Sequence, residues 1–206
     1  MFTRRYANFW DGLFRPSKTH LLGSGEVKTL TNLVSNGNFV DATGWIAYEG
    51  SLSVDNNTAK HTSNGTQTYS RITRTDSVST LGHTYALTLR VRVTNSSCTV
   101  LYARIYDSTP VTIQVTPVEN QWYQLTVLKT ITSAQAYIWI MHYYATEAIA
   151  SGKVMEVQYV SCVDLTAAFG AGNEPTQTEY ESWINTQSNS WFNTTAQYLC
   201  NTSQWF

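Results

Sequence analysis

Four histidines, three cysteines and fourteen carboxylates are the groups in this chain of 206 residues that could move protons, bind a metal or attack carbon. Their spacing argues against each use. His20, His61, His83 and His142 stand far apart and outside any HExxH-like ligand spacing, so they read as ordinary surface or core residues. Cys98, Cys162 and Cys200 are odd in number and form no CxxC pair, which points to free thiols rather than a disulfide framework or a zinc site. There is no Gly-x-Ser-x-Gly nucleophile elbow, and Gly170-Ala-Gly172 is too short to cradle a phosphate. Glycoside cleavage needs two carboxylates flanking one bond, and the strand carboxylates Asp107 and Glu156 have no evident mate. The chain is therefore expected not to be an enzyme; a capsule polysaccharide depolymerase is the enzymatic alternative.

Arginines and aromatic rings carry a different chemistry. Two-residue alternation sends Arg90, Arg92, Tyr102, Arg104 and Tyr106 to one side of their strands, and Tyr137, Trp139, Met141 and Tyr143 join them if Ile138 and Ile140 point inward. Sugar rings offer C–H groups that pack on aromatic faces, and their hydroxyls seek Arg, Asn and Gln partners. The same residue types are enriched at protein–protein interfaces. Three readings of this face stay open: a subunit interface, a glycan contact, or a core in which the two sides have been exchanged.

The elements that must position these groups are strands. Charged residues make up only 13% of the chain, about half the ~25% of an ordinary soluble domain, so Thr, Asn, Ser and Gln must supply the polar surface, a composition that favours strands and turns. Tyr85 to Val93 alternates strictly, and 99–107, 122–130, 136–144 and 154–163 read the same way, separated by Asn-, Ser-, Pro- and Gly-containing turns. Weaker strands are expected at 52–54, 58–62, 68–74 and 111–115. Eight or nine short strands with one apolar face each must pair into two covered sheets. The fold class is all-β, a jelly-roll β-sandwich over 32–165.

The two ends differ from this middle. In residues 1–31, Phe2, Tyr6, Phe9, Trp10, Leu13 and Phe14 recur at helical spacing until Pro16, with Arg4, Arg5, Arg15 and Lys18 around them, and Gly23-Ser24-Gly25 reads as a joint. This arm is expected either to pack on its own domain or to dock onto a partner subunit. In 166–206, Thr176 and Glu179 form a capping box ahead of a stripe of Tyr180, Trp183 and Ile184. Beyond Asn185, Trp191, Phe192, Tyr198, Trp205 and Phe206 in a polar tail suggest docking onto a neighbour. A net charge of −1 gives no overall pull toward nucleic acid, no apolar run is long enough to span a bilayer, and the N-terminus does not read as a secretory signal.

Asn32-Leu-Val-Ser-Asn-Gly-Asn-Phe39 followed by Gly44-Trp45 resembles the opening of carbohydrate-binding-module-like jelly rolls. Val163 to Pro175, with Ala-Phe-Gly-Ala-Gly-Asn-Glu-Pro at its end, is similar to a linker that follows such domains in bacteriophage tail and minor structural proteins. The resemblance covers roughly 32 to 185. It implies a virion appendage component, in a tail, neck or head fibre, assembled in the host cytoplasm as a homo-oligomer, for which a trimer is the guess from fibre architecture. Its partners would be other virion proteins and, through the aromatic face, a host cell-surface glycan; a dedicated adhesin is the alternative. Members of the carbohydrate-binding group often carry a structural calcium. Here Asn38 stands where an acidic residue is common, and Asp41 and Glu156 are the oxygen side chains that could contribute, far short of the six to eight ligands calcium takes. No cofactor is expected, with calcium as the alternative.

Overall fold

The computed structural model describes residues 26–200 except 76, 77, 79, 110, 134 and 135. The arm residues Phe2, Tyr6, Phe9, Trp10, Leu13 and Phe14 lie outside the described residues, as do Trp205 and Phe206. Two five-stranded antiparallel sheets face each other. The front sheet runs β2 (Ile46–Tyr48), β5 (Tyr69–Arg74), β10 (Tyr137–Tyr144), β7 (Cys98–Tyr106), β8 (Val111–Val115). The rear sheet runs β3 (Gly50–Asp55), β4 (Thr58–Ser63), β11 (Val154–Asp164), β6 (Thr84–Val93), β9 (Tyr123–Thr130). The jelly-roll expectation holds, and each strand read from alternation is present within one or two residues at its ends.

The alternation also assigns the faces. Tyr85, Leu87, Leu89, Val91 and Val93 of β6 point into the core, where they meet Leu101, Ala103 and Ile105 of β7 and Ile138 and Ile140 of β10. Burial of these side chains, each contributing about 1.5–3 kcal/mol, holds the sheets together. The opening segment closes one end of this core. Phe39 and Trp45 are buried with ring centroids 5.0 Å apart, and Asn36 ties the loop by donating to Asp41 and to the Thr43 carbonyl. Gly37 permits the close approach: a Cβ there would sit 2.0 Å from the Val160 carbonyl oxygen, and the Gly37 carbonyl accepts from the Val160 amide at 2.8 Å. Asn32 accepts from the Cys162 amide and donates to the Phe192 carbonyl. The Asn-Leu-x-x-Asn-Gly-x-Phe pattern is thus a set of structural stitches.

A third layer covers part of the rear sheet. β1 (Val27–Thr31) pairs antiparallel with β12 (Thr195–Leu199), so the segment read as an arm over 1–31 ends in a strand of the folded body. α2 (Leu165–Phe169) and α3 (Gln177–Ile184) complete the layer, after the short α1 (Glu147–Ala150) on the other side of β11. α3 begins with the expected capping box, Thr176 and Glu179 each bonding the other's backbone amide. Leu30, Leu165, Phe169, Tyr180, Ile184, Phe192 and Tyr198 form a second core on Ala86 and Val163 of the rear sheet. Two expectations are corrected here. The aromatics of the tail up to Tyr198 pack on the chain's own sheet, because the outward Ala86 and Val163 leave an apolar surface that needs cover. The segment from Val163 to Pro175 is no linker, since Leu165 and Phe169 are buried and the Glu174 carboxylate accepts from Thr166 and the Gly172 amide.

Candidate functional site

The outer face of the front sheet is open to solvent and gathers most of the aromatic candidates. With Ile138 and Ile140 fully buried inward, Tyr137, Trp139, Met141 and Tyr143 of β10 point outward, which removes the reading in which these rings are core. β7 adds Tyr102, Arg104 and Tyr106 beside them, Tyr102 opposite Met141 and Arg104 opposite Trp139. β5 and β2 add residues that sequence reasoning passed over: Tyr69, Arg71 and Tyr48, with Arg71 opposite both Met141 and Tyr48. The signal was present, since Tyr69-Ser-Arg-Ile-Thr-Arg74 alternates, but short strands with polar faces give little periodic contrast.

These side chains stack on one another across four strands, about 14 Å at ordinary strand spacing. One row runs Tyr48, Tyr69, Tyr143, Tyr102, with neighbouring centroids 6.4, 5.4 and 4.9 Å apart. A second places the Arg71 guanidinium 3.7 Å from the Tyr48 ring and 4.2 Å from Trp139, with Tyr106 on Trp139 at 3.8 Å. Arg104 lies between the rows, 4.8 Å from Tyr102 and 5.7 Å from Trp139. Ring against ring and guanidinium against ring are both favourable contacts. Burial pushes the Tyr143 hydroxyl well above its ordinary range, aided by Tyr102, so this phenol stays a neutral donor. The result is a preordered surface of ring edges, phenol hydroxyls and guanidinium groups.

Arg90 and Arg92 are not on this face. They project from β6 on the rear sheet, on the far side of the sandwich, because alternation fixes a side within a strand but not which sheet the strand joins. There the two guanidiniums lie 5.2 and 4.6 Å from the Trp122 ring, and Arg92 pairs with Glu156 at 2.6 Å. Trp191 and Tyr159 stand nearby, 5.7 Å apart. Asp41 and Glu156 are not brought into one metal site either. Asp41 accepts from the Thr43 amide and Asn36, which hold its carboxyl below the usual range despite some desolvation, while Glu156 is held by Arg92 and, at 4.0 Å, Lys60. Asp41 Oδ1 and the Glu156 carboxylate thus have protein partners, and no group of three or more His, Cys, Asp or Glu that could hold a metal forms among the described residues.

The other strand carboxylate, Asp107, is also taken up by protein partners. Asp107, directly after β7, accepts from Thr132 and Thr109 and faces Lys129 at 3.5 Å. A cavity of about 450 Å³ between β8, β9 and α3 is lined by Gln114, Gln124, Glu181 and Asn185 among others, with Glu181 its one carboxylate.

Two histidines meet in the core. His61 Nδ1 lies 3.1 Å from His142 Nε2, which is 2.6 Å from Ser70 Oγ, while His142 Nδ1 is 2.8 Å from the Tyr144 hydroxyl. Which partner donates in each contact is set by the ring nitrogen that carries the proton. The pair spans the sandwich from β4 to β10. Burial lowers the His61 pKa to about 4 and that of His142 well below its ordinary value.

No family model matches the chain, and no curated protein matches it in sequence. Solved structures do resemble it in fold. An arabinose-bound GH51 α-L-arabinofuranosidase superposes with a TM-score of 0.53 at 13% identity over 76% of this chain and 29% of the enzyme. A family 16 carbohydrate-binding module gives 0.46 at 15% identity over 65% of this chain and 100% of the module. The enzymatically active domain of tailspike protein 4 from bacteriophage CBA120 gives 0.46 at 15%, over 64% and 21%. This chain thus spans under a third of the arabinofuranosidase it resembles. Its class is an all-β, jelly-roll-like sandwich.

Proposed function

We propose that the protein is a non-catalytic glycan-binding β-sandwich that serves as an appendage component of a virion, present in several copies. The observation that carries the glycan reading is the front-face layer of Tyr48, Tyr69, Arg71, Tyr102, Arg104, Trp139 and Tyr143, ordered by mutual stacking before any ligand arrives. A preordered surface loses little side-chain entropy on binding, and phenol and guanidinium groups answer the hydroxyls of a sugar chain. The virion reading, and with it assembly in a host cytoplasm, is supported by the likeness of residues 163–175 to a segment of phage tail and minor structural proteins. Repeated copies would turn a weak single-site affinity into firm attachment by raising effective concentration.

The test is a polysaccharide array probed with the full chain and with Trp139→Ala. Binding by the parent and its loss, by about tenfold or more, in the variant supports the glycan reading. An array on which the folded parent binds nothing overturns it, and self-association lost on Trp139→Ala in light scattering would then assign the face to a subunit contact.

A further inference from the structure

Among the described residues the front face carries charge without a carboxylate to balance it. Arg71 and Arg104 flank Trp139, and neither has a carboxylate partner there: the ion pairs of the described residues include Lys28–Glu26, Lys60–Asp55, Lys60–Glu156, His83–Asp164, Arg92–Glu156 and Lys129–Asp107. The five strands of the front sheet place no Asp or Glu on the outer side. Of the carboxylates that directly follow its strands, Asp107 turns to Lys129 and Thr132 and Glu49 accepts from Thr66. The Nε atoms of Arg71 and Arg104 are buried and lack a hydrogen-bond acceptor. Among the described residues, the contacts these two guanidiniums make are with ring faces.

On the rear sheet Arg90 likewise rests on the Trp122 and Tyr159 rings with no carboxylate partner among the described residues, but its neighbour is handled differently. Arg92 also lies over a tryptophan, yet Glu156 from the next strand meets it at 2.6 Å. A half-buried guanidinium is ordinarily satisfied by an anion or by several acceptors, and leaving one unpaired costs stability. Two such groups on either side of β10, in a layer otherwise made of neutral side chains, are a site awaiting a negative partner. Planar guanidinium groups bind carboxylate and phosphate oxygens in a paired, directional way.

We infer that the front face recognises an acidic saccharide, one whose carboxylate or phosphate group is taken between Arg71 and Arg104 while Trp139 and the tyrosines contact its rings and hydroxyls. This rests on the glycan reading above and names the ligand class for that same site. Among the described residues the strands of this face carry no acidic side chain to repel such a chain, and phenol hydroxyls donate to anionic oxygens as readily as to neutral ones.

The experiment is an array holding uronate-containing, phosphate-containing and neutral bacterial polysaccharides, probed with the full chain at 50 and 500 mM NaCl. Expected are hits confined to the acidic chains and weakened by salt. Arg71→Gln with Arg104→Gln should lower the signal by about tenfold or more, whereas Arg71→Lys with Arg104→Lys should keep the preference for acidic over neutral chains. Comparison of polygalacturonate with its methyl ester, and of glycerol-phosphate polymer with both, tells a carboxylate ligand from a phosphate one. Hits on neutral chains with no salt dependence overturn the acidic inference and leave the glycan reading standing. An array without hits overturns both.

Discussion

Tyr106 and Trp139 stack with ring centroids 3.8 Å apart and planes 11° from parallel, and the Arg71 guanidinium sits 4.2 Å from the same indole. At such distances the two partners must occupy opposite faces of Trp139. The tryptophan is therefore clamped, presenting its edge to solvent. A clamp of this kind couples three strands, β5, β10 and β7, on the outside of the sheet, where the interior core cannot help.

The first consequence is energetic coupling. Tyr106→Ala and Trp139→Ala should each cost a modest part of the stability, and the double variant should lose less than their sum by about 1 kcal/mol, the usual worth of an aromatic pair beyond its buried area. Urea unfolding of the four proteins closes the cycle. Strict additivity would mean that the two rings touch without holding each other.

Acid should loosen the core at the His61–His142 pair. Both imidazoles are buried neutral, with folded pKa values below the ordinary 6.5, so the unfolded chain binds more protons than the folded one once pH drops below about 6.5. Stability is then full above that pH and falls as pH decreases toward 4, by about 1.4 kcal/mol per pH unit for each histidine. Urea midpoints between pH 7.5 and 5 test this above the range in which carboxylates titrate. The slope should shrink in His61→Gln. An unchanged slope in that variant would show that the pair is not the source of acid sensitivity.

Gly37 should tolerate no side chain. A Cβ would lie 2.0 Å from the Val160 carbonyl oxygen and 3.2 Å from Val34, and the contact cannot open without breaking the Val160 amide bond to Gly37. Overpacking of this sort costs about 3 kcal/mol. Gly37→Ala should therefore show a matching fall in urea stability, while Gly82→Ala, whose Cβ would meet nothing within 4 Å, should lose less, through its positive φ alone.

How far the sequence could be read follows from which signals are local. Tyr85 to Val93 announced its strand because every second residue is apolar, and Thr176 with Glu179 announced a helix start because capping is decided within four residues. β1 and β12 gave no such signal. Each is short and polar on one side, and they pair across 164 residues or more, Thr31 with Thr195, a match no window can see. The site was legible in part for the same reason. Alternation put Tyr102, Arg104, Tyr106, Trp139 and Tyr143 on one surface, yet it also grouped Arg90 and Arg92 with them, since sheet membership is set by long-range pairing. Tyr48 was missed because the three-residue β2 carries almost no period, and Arg71 because the short, polar β5 gives little periodic contrast.

Removing the third layer gives the last prediction. A fragment ending at residue 165 keeps every strand of both sheets, and a division at that point looks safe from the sequence. It would nevertheless expose the outward side of Ala86 and Val163 and strip away Tyr180, Ile184, Phe192 and Tyr198, all buried in the second core. It would also free Asn32, which donates to the Phe192 carbonyl and whose own amide donates to Thr194 at 2.7 Å. Losing several large apolar contacts outweighs the few kcal/mol by which a domain of this size is usually stable. The 32–165 fragment should therefore bind ANS and melt without a cooperative transition, whereas the full chain melts sharply. A fragment with a sharp transition close to that of the full chain would show the third layer to be an accessory resting on a self-sufficient sandwich.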